Sequence, residues 1–102
     1  MIAVTPPEIQ LEVRVQREYI EIRGTTRGSP QGQYTLYAAP RCSSKKRVVS
    51  AHGRVKAGSF VAQLAFSILP VRRGRACYRI RSHGRLLVTA SRRYRVPAPA
   101  QS

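Results

Sequence analysis

The sequence predicts an all-β fold, an antiparallel sandwich of six or seven short strands. Apolar residues recur at every second position rather than every third or fourth, the period of a strand with one buried face. Turn signals rich in Gly, Pro and Ser interrupt that pattern about every ten residues, the rhythm of a small sandwich. No stretch keeps a convincing helical period. A closed barrel is the alternative arrangement of the same strands.

The length, 102 residues, fits one domain. Pro6-Pro7 and Pro97-Ala98-Pro99-Ala100 read as extended ends. These set an N-terminal linker over residues 1–7, the sandwich over 8–96 and a Pro/Ala tail over 97–102. The first strand is carried by Ile9, Leu11, Val13 and Val15, alternating with Gln10, Glu12, Arg14 and Gln16. Ile20 and Ile22, set against Tyr19, Glu21 and Arg23, carry the second. Gly24–Gly32 reads as a loop. A third strand spans Tyr34–Ala39 and stops at Pro40. Arg41–Ser50 reads as a loop leading into a short edge strand near Val48-Val49, and Gly53–Gly58 as a turn. Phe60, Ala62, Leu64, Phe66 and Ile68 give the clearest alternation, ended by Pro70. Arg72-Arg73-Gly74 turns the chain into a strand with Ala76, Tyr78 and Ile80 on one face. Ser82-His83-Gly84-Arg85 makes a hairpin, and Leu86–Ala90 with Tyr94 and Val96 forms the last strand.

Nineteen Lys and Arg oppose four carboxylates, for a net charge of +15. The carboxylates are Glu8, Glu12, Glu18 and Glu21, in the first two strands, where alternation makes them surface groups. From Ile22 to Ser102 there is no Asp or Glu. Such a field draws polyanions, and Arg, sixteen of the nineteen cations, forms bidentate forks with phosphate, sulfate or carboxylate. The plain alternative is a bias toward arginine with every guanidinium solvated on an outer face.

Strand parity sharpens this. Were Cys77 to face the core, Arg79 and Arg81 would face it too, and burying unpaired guanidiniums is prohibitive. Ala76, Tyr78 and Ile80 are therefore expected inward, and Cys77, Arg79 and Arg81 outward. If the last two strands pair, Arg93 and Arg95 share that face. A row of like charges on neighbouring strands is a cost without an anion. Arg79, Arg81, Arg93 and Arg95, with Arg72 and Arg73 of the preceding turn, are the predicted anion-binding residues. A charged edge strand that resists aggregation is the competing explanation.

Cys42 and Cys77 permit one disulfide, which implies an oxidising compartment. Two buried thiols are the alternative. Neither has a second Cys at metal-ligand spacing, and His52 and His83 are isolated, so no metal or cofactor is expected. With no Asp in the chain, a Ser/His/Asp triad is excluded. A Cys77–His83 nucleophile pair would need free thiols. Both histidines read as turn residues, and the glycines of 24–32 lack the strand–loop–helix setting of a phosphate loop. Catalysis is not expected. No apolar run is long enough to span a membrane, and the start shows no leader, so a secreted form would have lost one upstream of this sequence.

Several segments resemble the immunoglobulin-like domains of secreted and cell-surface proteins of high-GC Gram-positive bacteria. They are Tyr34-Thr35-Leu36-Tyr37, then Cys42, then Gly58-Ser59-Phe60 opening an alternating strand. Gly74-Arg75-Ala76-Cys77-Tyr78-Arg79 and Tyr94-Arg95-Val96 complete the set. In that family a cysteine after the third strand looks paired with one in the penultimate strand, which implies a Cys42–Cys77 bridge. The chain departs from the pattern at Arg75 and Ala76, where an aromatic is usual, and in being far more basic. The resemblance implies a stalk, adhesion or recognition module and supplies no catalytic residues. The expected function is thus a non-catalytic, extracytoplasmic module whose arginine-rich face contacts an anionic polymer or an acidic protein surface. The alternative is a small cationic all-β nucleic-acid-binding protein of the cytoplasm, for which outward Tyr19 and Tyr37 would offer stacking faces.

Overall fold

A computed structural model describes residues 8–27 and 32–97 of the chain. Seven strands run in the order β1 (Glu8–Val15), β2 (Tyr19–Arg27), β3 (Gln33–Ala39), β4 (Val48–Arg54), β5 (Gly58–Ala65), β6 (Arg73–Ser82) and β7 (Arg85–Arg95). They form two antiparallel sheets, one of three strands in the order β1-β2-β5 and one of four in the order β4-β3-β6-β7. The chain passes between sheets after β2, β4 and β5, and the two inner faces enclose one core. The fold is the all-β sandwich that the period of two predicts.

Parity places the core residues of β2, β5 and β6 as expected, whereas Val15, expected on the buried face of β1, is exposed. Ile20, Ile22, Leu36, Leu64, Ala76, Tyr78 and Ile80 are buried between the sheets with Leu11, Ala38 and Tyr94. The β6–β7 hairpin turns on His83 and Gly84, whose φ values of 51° and 74° are those of a two-residue primed turn. Only glycine and a few polar residues adopt that conformation cheaply.

Four elements differ from the sequence reading. The second strand continues through Gly24–Arg27, because Gly24–Thr26 pair with β1 on one side and β5 on the other and Arg27 pairs with Glu8 of β1; ladder bonds on both sides outweigh a loop-like composition. Gly24 lies against Phe60 with no room for a side chain. The edge strand β4 runs to Arg54, so His52 lies in a strand and not in a turn. β5 ends at Ala65. Phe66–Ile68 form one 3-10 turn, drawn out of the ladder where the Phe66 amide donates to the Glu18 carbonyl at 2.9 Å. Their alternation continues the strand pattern without the strand. Finally, Arg73 opens β6 and is not a turn residue. The linker 1–7, the tail from residue 98 and residues 28–31 of the expected loop lie outside the described residues.

The seam between β1 and β7, edge strands of opposite sheets, is crossed by the Arg92 side chain, whose Nε donates to the Leu11 carbonyl at 2.9 Å. Across the other seam β4 and β5 approach only sparsely. The sandwich is therefore tied on one side and open on the other.

Candidate anion-binding face

The site is the outer face of the four-stranded sheet, and register fixes who stands on it. Successive residues of a strand alternate faces, and Ala76, Tyr78 and Ile80 point inward. Arg73, Arg75, Cys77, Arg79 and Arg81 are therefore outward. On β7 the residues opposite them are Arg95, Arg93, Ser91 and Thr89, with Leu86 facing Arg81 beyond a register shift. On β3 and β4 the same face carries Gln33, Thr35 and Tyr37, then Arg54, His52 and Val49.

This register brings like charges face to face. Arg73 lies directly opposite Arg95, and Arg75 directly opposite Arg93. Their side chains form a block two residues wide and two deep, with neighbours about 5 Å apart across the strands and about 7 Å along them. The arrangement is held without help from acids. Both ion pairs among the described residues, Arg14–Glu12 and Arg23–Glu21, lie on the three-stranded sheet. Arg75 is partly pinned by a hydrogen bond from its Nη1 to Ser91 Oγ at 3.0 Å.

The middle of the face is covered by the segment between β3 and β4. Cys42 is bonded to Cys77 with their Cα atoms 5.8 Å apart. The bridge draws this segment down onto Tyr37, Ala39 and Cys77, which form a second, smaller core outside the sandwich. Cys77 is outward, as parity requires, yet only 1% exposed. The Cys42 carbonyl accepts from Tyr37 Oη at 2.7 Å and from Arg79 Nη2 at 2.8 Å. The guanidiniums of Arg47 and Arg79 sit 4.9 and 5.6 Å from the centre of the Tyr37 ring, within cation–π range. The expected outward Tyr37 is thus fully buried, because the disulfide-anchored segment sits over it. It offers no stacking face to a nucleic acid.

Of the six predicted anion-binding residues, Arg72, Arg73, Arg81, Arg93 and Arg95 are exposed and Arg79 is half-buried. Arg79 spends one nitrogen on the Cys42 carbonyl, and its Nε is enclosed without a partner. Arg72 lies just outside β6, where its carbonyl accepts from the Val96 amide at 2.8 Å. The structure brings Arg73, Arg81, Arg93 and Arg95 to one face and adds Arg54 and Arg75, which the sequence reading did not single out. Arg75 was signalled, since it shares parity with Cys77. Arg54 was not, because the edge strand read shorter than it is.

Charge is segregated on the scale of the whole molecule. Arg14, Arg17, Arg23 and Arg27 offset Glu8, Glu12, Glu18 and Glu21 within β1, β2 and their loop, and β5 carries no charged residue. The full +15 therefore rests on residues 32–97, almost all of it on the four-stranded sheet and the disulfide segment. Glu21 departs from the expected surface carboxylate. It stands on the outer face but is 7% exposed, shielded by Arg23. That pairing holds the Arg23 guanidinium firmly protonated, above its ordinary range.

A groove of about 800 Å³ runs beside β1 and mixes Glu12 with Arg23, Arg92 and Arg93, so it does not concentrate one sign. A smaller hollow of about 670 Å³ at the hairpin end of the basic face is lined by Gln33, Arg54, Arg81, Ser82 and His83, with no acid. No group of three metal-ligating side chains gathers among the described residues, and neither cysteine is free. No helix among them is long and apolar enough to cross a membrane. Comparison with protein families, curated proteins and solved structures finds no match to this chain.

Proposed function

We propose that the chain is a non-catalytic, immunoglobulin-like module that works outside the cytoplasm and binds an anionic polymer through the outer face of its four-stranded sheet. The observation that carries this reading is the pair of directly opposed arginines, Arg73–Arg95 and Arg75–Arg93, on a face without a carboxylate. Like charges set opposite each other destabilise a ladder. A polymer that bears a negative group every few ångströms turns that repulsion into multidentate attraction, and guanidinium forks suit sulfate, phosphate and carboxylate alike. The disulfide supports the extracytoplasmic part, since such bridges persist in oxidising compartments. The strand orders β1-β2-β5 and β4-β3-β6-β7 of two facing antiparallel sheets, with a bridge after the third strand, support the immunoglobulin-like part. The burial of Tyr37 weighs against the nucleic-acid alternative, which needs exposed rings for single strands.

The test is a titration with heparin and with double-stranded DNA across a series of salt concentrations. Heparin is expected to saturate the protein, with affinity falling steeply as salt rises, because each phosphate or sulfate contact releases bound counterions. Replacing Arg73 and Arg95 by Glu together should flatten that slope, whereas Arg14→Glu on the other sheet should leave it alone. Absence of saturable binding to heparin would reduce the chain to a spacer. Tighter binding to DNA at matched salt would transfer the reading to nucleic acid.

A further inference from the structure

The open seam between β4 and β5 holds a feature that the arginine face does not account for. Three aromatic rings stack there in a row. Tyr34 and Tyr78 lie with centroids 5.4 Å apart and planes 4° from parallel. Phe60 and Tyr78 also lie 5.4 Å apart, at 18°. Tyr78 is buried, but Tyr34 and Phe60 are only half-buried. All three line a pocket of about 570 Å³ whose rim carries His52, Arg54 and Lys56 and no acid among its lining residues. Ser59 adds a hydroxyl at the β5 side. An aromatic floor with a cationic rim is the usual composition of a small-molecule site, apolar lining with a few convergent polar groups.

We propose that this pocket binds one sugar residue bearing an acidic group, the end or a side branch of the polymer held on the arginine face. The C–H-rich face of a sugar ring is drawn to the electron-rich faces of aromatic rings. The acidic group meets Arg54 or Lys56 on the rim, where a hydrogen bond to a charged donor is stronger than a neutral one. Continuity with the basic face favours this occupant. Arg54 borders both this pocket and the hollow lined by Arg81, so a chain of anionic residues passes from one to the other without leaving positive charge. The choice of a sugar over a nucleobase rests on the extracytoplasmic reading above.

Amide and aromatic NMR shifts of the full chain, titrated with glucuronate, glucose 6-phosphate, glucose and uridine monophosphate, test this. Saturable shifts are expected at Tyr34, Phe60, Gly53 and Lys56 with at least one of the two acidic sugars. Glucose should bind about tenfold more weakly, what one hydrogen bond to a charged group contributes. Lys56→Glu, an exposed change that leaves the core alone, should weaken the acidic sugar by a similar factor and leave glucose unchanged. Phe60→Leu keeps the apolar volume, removes the ring and should weaken both. Arg73→Glu with Arg95→Glu should weaken heparin binding and flatten its salt dependence while sparing the sugar shifts, so the two sites fail separately. No saturable shift with either acidic sugar, equal binding of glucose, or tighter binding of uridine monophosphate would each overturn the proposal.

Discussion

Both sheets of this sandwich carry arginines, the four-stranded sheet more of them, and the sheets differ in what surrounds those arginines. On the three-stranded sheet cations alternate with glutamates, ion pairs form along β1 and β2, and the charges cancel. On the four-stranded sheet arginines face arginines, and no carboxylate lies anywhere from β3 to β7. A uniform bias toward arginine explains the cations of both sheets. It does not explain why every acid is confined to one of them. The difference teaches that the basic face is made by the removal of acids as much as by the addition of arginines. It also sets two kinds of device against each other. The neutral sheet has one buried face and its ion pairs, while the charged sheet has a covalent bridge and a second small core on its outer side.

The largest effect is expected where that bridge is broken. Closing a loop with a sequence separation of 35 residues stabilises by about 3–4 kcal/mol on the chain-entropy model. Denaturant unfolding of Cys42→Ala with Cys77→Ala, compared with the oxidised protein, should show a loss of that size. Hydrogen exchange should locate it. Amides of 40–47 and of the outer β3–β6 ladder should lose protection first, with the β1–β2 hairpin unchanged. Uniform loss across both sheets would mean that the second core contributes nothing local.

A smaller loss is expected from the neutral sheet. A methyl group at Gly24 would run into the Phe60 ring, and overfilling a packed site costs about 1–3 kcal/mol. Gly24→Ala should therefore lower the unfolding midpoint. It should also disturb the Tyr78–Phe60 stack, visible as shifted ring resonances. An unchanged midpoint would show that Phe60 has room to swing toward the open seam.

Much of this was legible in the residues, and the failures are local. Alternation alone placed Ala76, Tyr78 and Ile80 inside and Cys77 with Arg79 outside, because one bad choice of parity would have buried two guanidiniums. The same alternation carried too far at Phe66 and Ile68, where a single long-range hydrogen bond bends the chain away. Gly24–Arg27 look like a loop until both neighbouring strands are known, and pairing partners distant in sequence leave no local mark. Burial of Tyr37 was invisible for a related reason. Its parity is outward, and only the path of the disulfide segment covers it. Arg92 shows the limit most plainly. It has the parity of core residues Ala90 and Tyr94, yet its side chain runs out across the seam to a carbonyl of β1.

The tyrosines give an effect of intermediate size. Burial pushes the Tyr78 and Tyr94 hydroxyls above their ordinary values. In the unfolded chain these groups lose their protons near pH 10, while the folded protein still holds them. The unfolded state then binds fewer protons, so stability is full below that pH and declines as pH rises through it. Tyr94→Phe removes one of these groups together with its bond to the Val71 carbonyl at 2.9 Å. It should cost about 1 kcal/mol at neutral pH and make the alkaline decline shallower. Parallel pH curves for the two proteins would show that Tyr94 ionises alike in both states.

The smallest expected effect has the opposite sign and bears most directly on the contrast between the sheets. If the opposed arginines are held for an anion, removing one should help the protein that has no ligand. Arg93→Thr keeps a residue suited to a strand, relieves the repulsion from Arg75 and should stabilise by about 0.2–1 kcal/mol. Arg14→Thr on the neutral sheet, where Glu12 lies 3.0 Å away, should give no such gain. Added salt should erase the difference between Arg93→Thr and the parent, since exposed charges are screened within about 10 Å at moderate ionic strength. Added heparin should reverse it, because the parent then gains more by binding than the variant gained by relief. A variant no more stable than its parent at low salt would mean that the arginines already splay apart into water. The face would then be a solvated edge, and its asymmetry would carry no information about a ligand.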